Sequence, residues 1–328
     1  MKINRSRAVL RGLAVVVAAG AALAGCSSGG SGSGSAAGET GGAAETFAVI
    51  THSDGSDNFF PVLKNGADAA GKEVGATINY TFAADPLKQA QLIDNAVAQK
   101  VQGIVTTLPN ADALRASLQK AEAAGIPVIT MNSGSQQSAS VGALAHVGQD
   151  EVIAGRGAGE RLKAAGVTNL LCLVHEASNV ALQQRCQGVS ETLGGAVTQL
   201  QVNVSNLPDV TSSVSAKLQA DKSIDGVIAL NPGVATAALQ GMKAAGSTAK
   251  LATFDLSKDV ITAVNAGDIL FAVDQQQYLQ GYLPVTMLDL YIKNGNTVGG
   301  GQPVLTGPGF VTKDNASKVA DLTAKGSR

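Results

Sequence analysis

Polar side chains standing directly after short apolar runs carry the chemistry available to this sequence. Asn132 and Ser133 follow Ile126-Pro127-Val128-Ile129-Thr130-Met131, and Asn231 follows Val227-Ile228-Ala229-Leu230. Asp255 follows Thr253-Phe254, and Asp274-Gln275 follow Phe271-Ala272-Val273. Nearer the start, the polar turn His52-Ser53-Asp54-Gly55-Ser56-Asp57-Asn58 leads into Phe59-Phe60, and Asp85 lies just past Ala76-Thr77-Ile78-Asn79-Tyr80-Thr81-Phe82. Carboxylates accept hydrogen bonds, amides donate and accept, and a phenyl face can lie on the C–H face of a sugar. The same residues have structural uses. Asp and Asn after a strand cap the next helix or form a turn, Phe at a helix start packs into a core, and Asp85 before Pro86 suits an N-cap.

The elements that must hold these residues follow from periodicity. After Pro86, the residues Leu87, Ala90, Leu92, Ile93, Ala96 and Val97 recur three or four apart, which predicts an amphipathic helix. Gln102 to Leu108 is a short β-branched run, Leu114, Leu118 and Ala121 mark a second helix, and Gly125 stops it before the run that ends at Met131. Strands alternating with helices require crossovers, so the sheet is parallel and the fold class is α/β. In such open sheets ligands bind beyond the carboxyl ends of the strands, where the polar residues named above stand. From Glu45 onward there are about 280 residues, more than one core usually holds, so two lobes are expected.

The later part of the chain repeats the pattern. Asp150 starts a helix through Ile153, Arg161 and Leu162, in which Gly155, Gly157 and Gly159 permit close packing; a dinucleotide fingerprint fails because Glu160 occupies the third glycine position. Asn169 to Val174 is a strand, His175 to Asn179 is the loop at its end, and the next helix carries Arg185 and Cys186. Val197 to Val204, Ile224 to Leu230, Leu251 to Phe254 and Ile269 to Val273 continue as strands.

Lys2, Arg5, Arg7 and Arg11 precede an apolar run from Leu13 to Leu23, which predicts a secretory signal peptide over residues 1–25. Its end, Leu23-Ala24-Gly25-Cys26, resembles the lipobox of bacterial lipoproteins, which implies lipidation of Cys26. Residues 26–45 are mostly Ser, Gly and Ala and are expected to be a flexible tether. Removing residues 1–25 takes four basic and no acidic residues, leaving 20 Lys and Arg against 25 Asp and Glu. That net charge of −5 argues against nucleic-acid binding, which depends on clustered positive charge. With Cys26 lipidated in an exported chain, Cys172 and Cys186 are the cysteines left, and a disulfide between them is expected.

Asp57-Asn58-Phe59-Phe60, Gly125-Ile126-Pro127-Val128-Ile129 and His146-Val147-Gly148-Gln149-Asp150, in that order and spacing, resemble segments of the ribose-type (type I) periplasmic sugar-binding proteins. The likeness runs from about Thr46 to Val311. It implies two doubly wound parallel-sheet lobes joined by a hinge of several crossovers. The N-terminal lobe would hold residues 46–149 plus 276–307, and the C-terminal lobe 150–275 plus 308–328. It also implies the substrate-binding subunit of a carbohydrate ABC importer, which delivers a small sugar or sugar alcohol to a membrane permease. The ligand contacts it carries over are Asp57, Phe59, Phe60, Asp85, Asn132, Gln149, Arg185, Asn231, Asp255 and Gln275. Ribose binders have Asn where Asp57 stands, Asp-Arg where Asn132-Ser133 stand, and Ser where Gln149 stands. Fewer aromatics and more amides favour an acyclic polyol, or a small sugar with a changed hydroxyl pattern.

No GxSxG elbow, GxxxxGK[ST] loop or HExxH helix occurs, and His52, His146 and His175 are scattered singly. A binding protein without metal or cofactor is therefore expected, not an enzyme, although Asp and Arg residues leave a carbohydrate-cleaving cleft as the lesser alternative. A sensor that reports occupancy to a membrane receptor uses the same closed surface and stands as the other alternative. A transcriptional regulator is excluded by the export signal and the missing helix-turn-helix. A monomer held by lipid to the extracytoplasmic face of the cell membrane is the expected state.

Overall fold

A computed structural model describes residues 45–328. The expected signal peptide, the expected lipidation at Cys26 and all but the last residue of the expected tether lie outside the described residues.

Two six-stranded sheets are built from the apolar runs; their inner strands are buried on both faces, as parallel strands under helices must be, while the edge strands at Thr77–Phe82 and Ala196–Gln201 are only partly covered. The first sheet contains β1 (Thr46–Thr51), β2 (Thr77–Phe82), β3 (Gly103–Thr107), β4 (Val128–Asn132), β5 (Ala145–Gln149) and β11 (Val304–Gly307). Its order is β11-β5-β4-β3-β1-β2, all parallel. Helices α1 (Phe59–Val74), α2 (Pro86–Ala98) and α3 (Ala111–Ala123) connect its strands, and α9 (Gln277–Asn294) packs on α1.

The second sheet contains β6 (Asn169–Val174), β7 (Ala196–Gln201), β8 (Gly226–Ala229), β9 (Lys250–Phe254), β10 (Ala272–Asp274) and β12 (Gly309–Val311). Its order is β12-β10-β9-β8-β6-β7, with β12 alone antiparallel. Here the helices are α4 (Glu151–Ala164), α5 (Val180–Leu193), α6 (Leu207–Ala220), α7 (Pro232–Ala245), α8 (Lys258–Ala266) and α10 (Ala316–Ala324). Each sheet has an apolar cluster on each face. The chain passes between the sheets three times, at Gln149–Glu151, Asp274–Gln277 and Gly307–Gly309.

Several expected strands are shorter than their apolar runs: the run from Ile224 to Leu230 is strand only over Gly226–Ala229, and of the run from Ile269 to Val273 only Ala272 and Val273 are strand. Val197 to Val204 is strand only as far as Gln201, because its neighbour β6 ends at Val174, the partner of Gln201. Beyond it the chain turns into Asn206, whose side chain caps α6.

Two contacts fix α5, and both affect the site. A Cβ on Gly155 would come 2.3 Å from the carbonyl oxygen of Arg185, and one on Gly188 2.2 Å from that of Val152, so α4 and α5 cross with their backbones touching. Cys172 on β6 is disulfide-bonded to Cys186 on α5, with the Cα atoms 6.2 Å apart. Closing a loop of this size contributes about 3 kcal/mol in the chain-entropy account.

Candidate functional site

The carboxyl ends of both sheets face a shared cavity of about 480 Å³, counted with the space open to solvent. From the first sheet come the loop after β1, the first turn of α1 and the end of β4; from the second come the ends of β6, β8 and β9, with α5 behind them.

Asp57 Oδ1 accepts hydrogen bonds from Phe59 N (2.8 Å) and Phe60 N (3.1 Å), and Oδ2 accepts from Ser53 Oγ (3.1 Å). The carboxylate thus holds the start of α1 while facing the cavity. Burial pushes the Asp57 carboxyl up, and the two backbone donors only partly offset it. Phe59 and Phe60 meet edge to face at 5.1 Å, and the His52 ring meets Phe60 at 5.0 Å. Both phenyl rings belong to the apolar core and also line the cavity.

Asn132 ends β4 and Asp255 follows β9 directly, with φ of 64° and 68°. Asn and Asp tolerate this left-handed conformation better than other residues with a Cβ, and it turns their side chains into the space between the sheets. Asn132 Nδ2 donates to Gln275 Oε1 (3.3 Å) and Gln280 Oε1 (3.1 Å), and Gln275 Nε2 donates to Asp255 Oδ1 (2.7 Å). An amide chain thus joins the tip of β4 to the tip of β9. Asn231 caps α7, its Oδ1 accepting from Gly233 N (2.8 Å) and Val234 N (3.2 Å), which leaves its amide nitrogen as a donor at the cavity wall.

Arg185 is the buried cation of the site. Its Nε and Nη2 donate to the two oxygens of Glu151 (2.7 and 3.0 Å), Nη1 donates to Leu230 O (3.3 Å), and the guanidinium lies 4.6 Å from the centroid of the Phe254 ring. Burial works against its charge, but Glu151 and Asp255 outweigh that and raise its proton affinity. Asp255 behaves oppositely: burial drives its carboxyl up to about 7, with Arg185 and Gln275 opposing.

Two expected contacts lie elsewhere. Asp85 is exposed and caps α2, accepting from Leu87 N (2.8 Å) and Lys88 N (2.9 Å), away from the cavity lining. It follows β2, the outermost strand of its sheet. Gln149 is fully buried behind the wall, donating to Glu151 Oε2 at 2.8 Å, and so orients the partner of Arg185.

The cavity has lining residues that were not expected: His52, Asp54, His175, Glu176 and Asn179. All stand after β1 or β6, so the strand-tip rule reaches them; their contacts depend on pairing across the lobes. His52 Nε2 is 3.5 Å from Glu176 Oε2 and 3.2 Å from Asn179 Nδ2, while Asn179 Nδ2 donates to Glu176 Oε2 at 2.6 Å. Ser205 Oγ donates to Asp54 Oδ2 (2.6 Å) and Val180 N to Pro109 O (3.2 Å), so the lobes meet along the rim and the cleft is closed. Burial holds the His175 imidazole down at about 4, which makes it a neutral donor and acceptor at pH 7. Among the described residues no group of three His, Cys, Asp or Glu side chains is placed to hold a metal.

The family description that matches residues 47–297 is that of a periplasmic binding protein domain. The chain belongs to the periplasmic binding protein family. It is thus an extracytoplasmic binding protein and not an enzyme. Its relatives include the D-apiose import binding protein of Paraburkholderia graminis, 29% identical over 85% of this chain and 91% of the relative. The ribose import binding protein of Haemophilus influenzae is 25% identical over 76% of this chain and 87% of the relative. Among solved structures, a carbohydrate transporter from Acidothermus cellulolyticus 11B in complex with myo-inositol is 43% identical. That match has a TM-score of 0.85 and covers 87% of this chain and 100% of the other.

Proposed function

We propose that this protein is the substrate-binding subunit of an ABC importer and that its cleft captures a small polyol of the cyclitol type, with myo-inositol as the first candidate. The observation that carries the reading is the convergence of Asp57, Asn132, Arg185, Asn231, Asp255 and Gln275 with Phe59 and Phe60 on one closed cavity. Hydroxyls donate and accept, so a ring bearing one on every carbon needs such a mixed set, and its C–H face suits a phenyl ring. The 43% identity to a protein crystallised with myo-inositol supports the cyclitol over ribose, as do the departures at Asp57 and Asn132.

Capture proceeds by hinge closure of two lobes, residues 46–149 with 276–307 and residues 150–275 with 308–328, and the permease reads the closed form. Cys26 carries the lipid that keeps the monomer beside that permease. A thermal-shift panel of aldoses, acyclic polyols and inositols tests the ligand. A binder at about 100 times its Kd stabilises by roughly 2.7 kcal/mol, an easily read shift. A shift with ribose and none with any polyol overturns the ligand class, and no shift with any member removes the carbohydrate reading.

A further inference from the structure

Resting on the polyol reading of the cleft, we infer that Asp255 sets the charge its ligand can carry: closure on a neutral polyol takes up one proton onto this carboxylate, and a ligand bearing an ammonium group binds without it. The argument is a charge count at the closed end of the second sheet. Three buried carboxylates meet there, Glu151, Asp255 and Asp274, which are 4%, 3% and 0% exposed. Two arginines face them, and each is engaged by another carboxylate. Arg185 gives Nε and Nη2 to Glu151 at 2.7 and 3.0 Å, and Arg328 gives Nε to Asp274 at 2.7 Å. What remains for Asp255 is Nη1 of Arg185 at 4.0 Å, beyond hydrogen-bond reach, and the neutral amide of Gln275 at 2.7 Å.

The other acidic residues of the cavity are better provided. Asp57 accepts three hydrogen bonds, Glu176 has His52 and Asn179, and Asp54 has Ser205 and Ser56. Asp255 lines the cavity, and its Oδ2 accepts no hydrogen bond from a described residue. An ionised carboxylate dried by closure against a neutral ligand is costly, because a buried charge needs a paired countercharge. A proton taken from bulk water while the cleft is open removes the charge. It also gives Asp255 an O–H to donate to a ligand oxygen, while Oδ1 still accepts from Gln275. Burial raises the closed-state value to about 7, in keeping with this account.

The sign is fixed by linkage. A carboxyl whose pKa rises on closure favours the closed complex below its open-state value, and that contribution is lost as pH climbs toward about 7. Calorimetry of myo-inositol binding at pH 6, in two buffers of different ionisation enthalpy, is expected to find about one proton taken up per ligand. Affinity is expected to fall by up to about tenfold per pH unit below pH 7 and to level off above it. Asp255→Asn abolishes both the uptake and the slope, and an inositol with one hydroxyl replaced by an amine shows no uptake. Inositol binding without proton uptake and with a flat pH profile overturns this inference alone; no polyol binding at any pH overturns it together with the polyol reading. The proton count uses the native chain, so it stands even if Asp255→Asn misfolds.

Discussion

Asp85 and Asp255 both follow a strand, yet one is spent on backbone and the other on the cavity. The oxygen of Asp85 accepts two helix N–H groups, and its position after an edge strand keeps it in solvent. Removing such a cap costs about 1 kcal/mol. Asp85→Ala is therefore expected to lower the unfolding free energy by that amount, read from urea denaturation, and to leave the Kd for myo-inositol unchanged; a tenfold weaker Kd would return Asp85 to the ligand set. Asn231 combines the two uses, since its carbonyl oxygen caps α7 while its amide nitrogen faces the cavity.

At the scale of elements, the crossing of α4 and α5 governs the site's cation. Without side chains at Gly155 and Gly188 the two backbones touch, which brings Glu151 at the start of α4 onto Arg185 in α5. The disulfide from β6 holds the same helix against its sheet one residue away, at Cys186. A methyl group at Gly155 would stand 2.3 Å from Arg185 O, which is backbone and has no rotamer to yield. Gly155→Ala is expected to cost about 1–3 kcal/mol by overpacking and to weaken ligand binding at the same time, because it displaces Arg185. Chemical denaturation and calorimetry on one sample check both effects. Lost stability with an unaltered Kd would separate Arg185 from the ligand.

For the whole molecule, closure is held at the rim as well as by whatever fills the cleft. His52 follows β1 of the first sheet, and Glu176 and Asn179 follow β6 of the second, so their contacts exist only while the lobes are together. Burial pushes the Glu176 carboxyl up, but His52, His175 and the Asn179 amide outweigh it and hold it at about 2. A depressed carboxyl stabilises the closed form fully above its ordinary 4.5, and the contribution fades as pH falls toward about 2. Glu176→Gln removes the charge at every pH. It is expected to speed ligand release roughly tenfold, the effect of about 1.4 kcal/mol lost from the closed state. Displacement of radiolabelled inositol measures this, and an unchanged release rate would mean the rim contributes nothing to closure.

The order of elements was legible from local chemistry: Pro86 and Gly125 punctuate helices, β-branched runs make strands, and the polar residue after each strand marks the carboxyl edge. Asn132, Asn231, Asp255 and Gln275 were found that way because a parallel strand must deliver its end to the cleft side of its sheet. Strand order is not written in any local pattern. It made β2 an outer strand and left Asp85 in solvent, and it put Gln149 behind the cavity wall as a support for Glu151. Nor does spacing along one chain reveal that His52 meets Glu176, 124 positions away, since that contact forms only when two separately folded sheets close on each other. The sequence by itself determined which residues stand at strand ends; the tertiary structure decided which of those ends share a space, and which buried carboxylate was left beyond hydrogen-bond reach of its nearest cation.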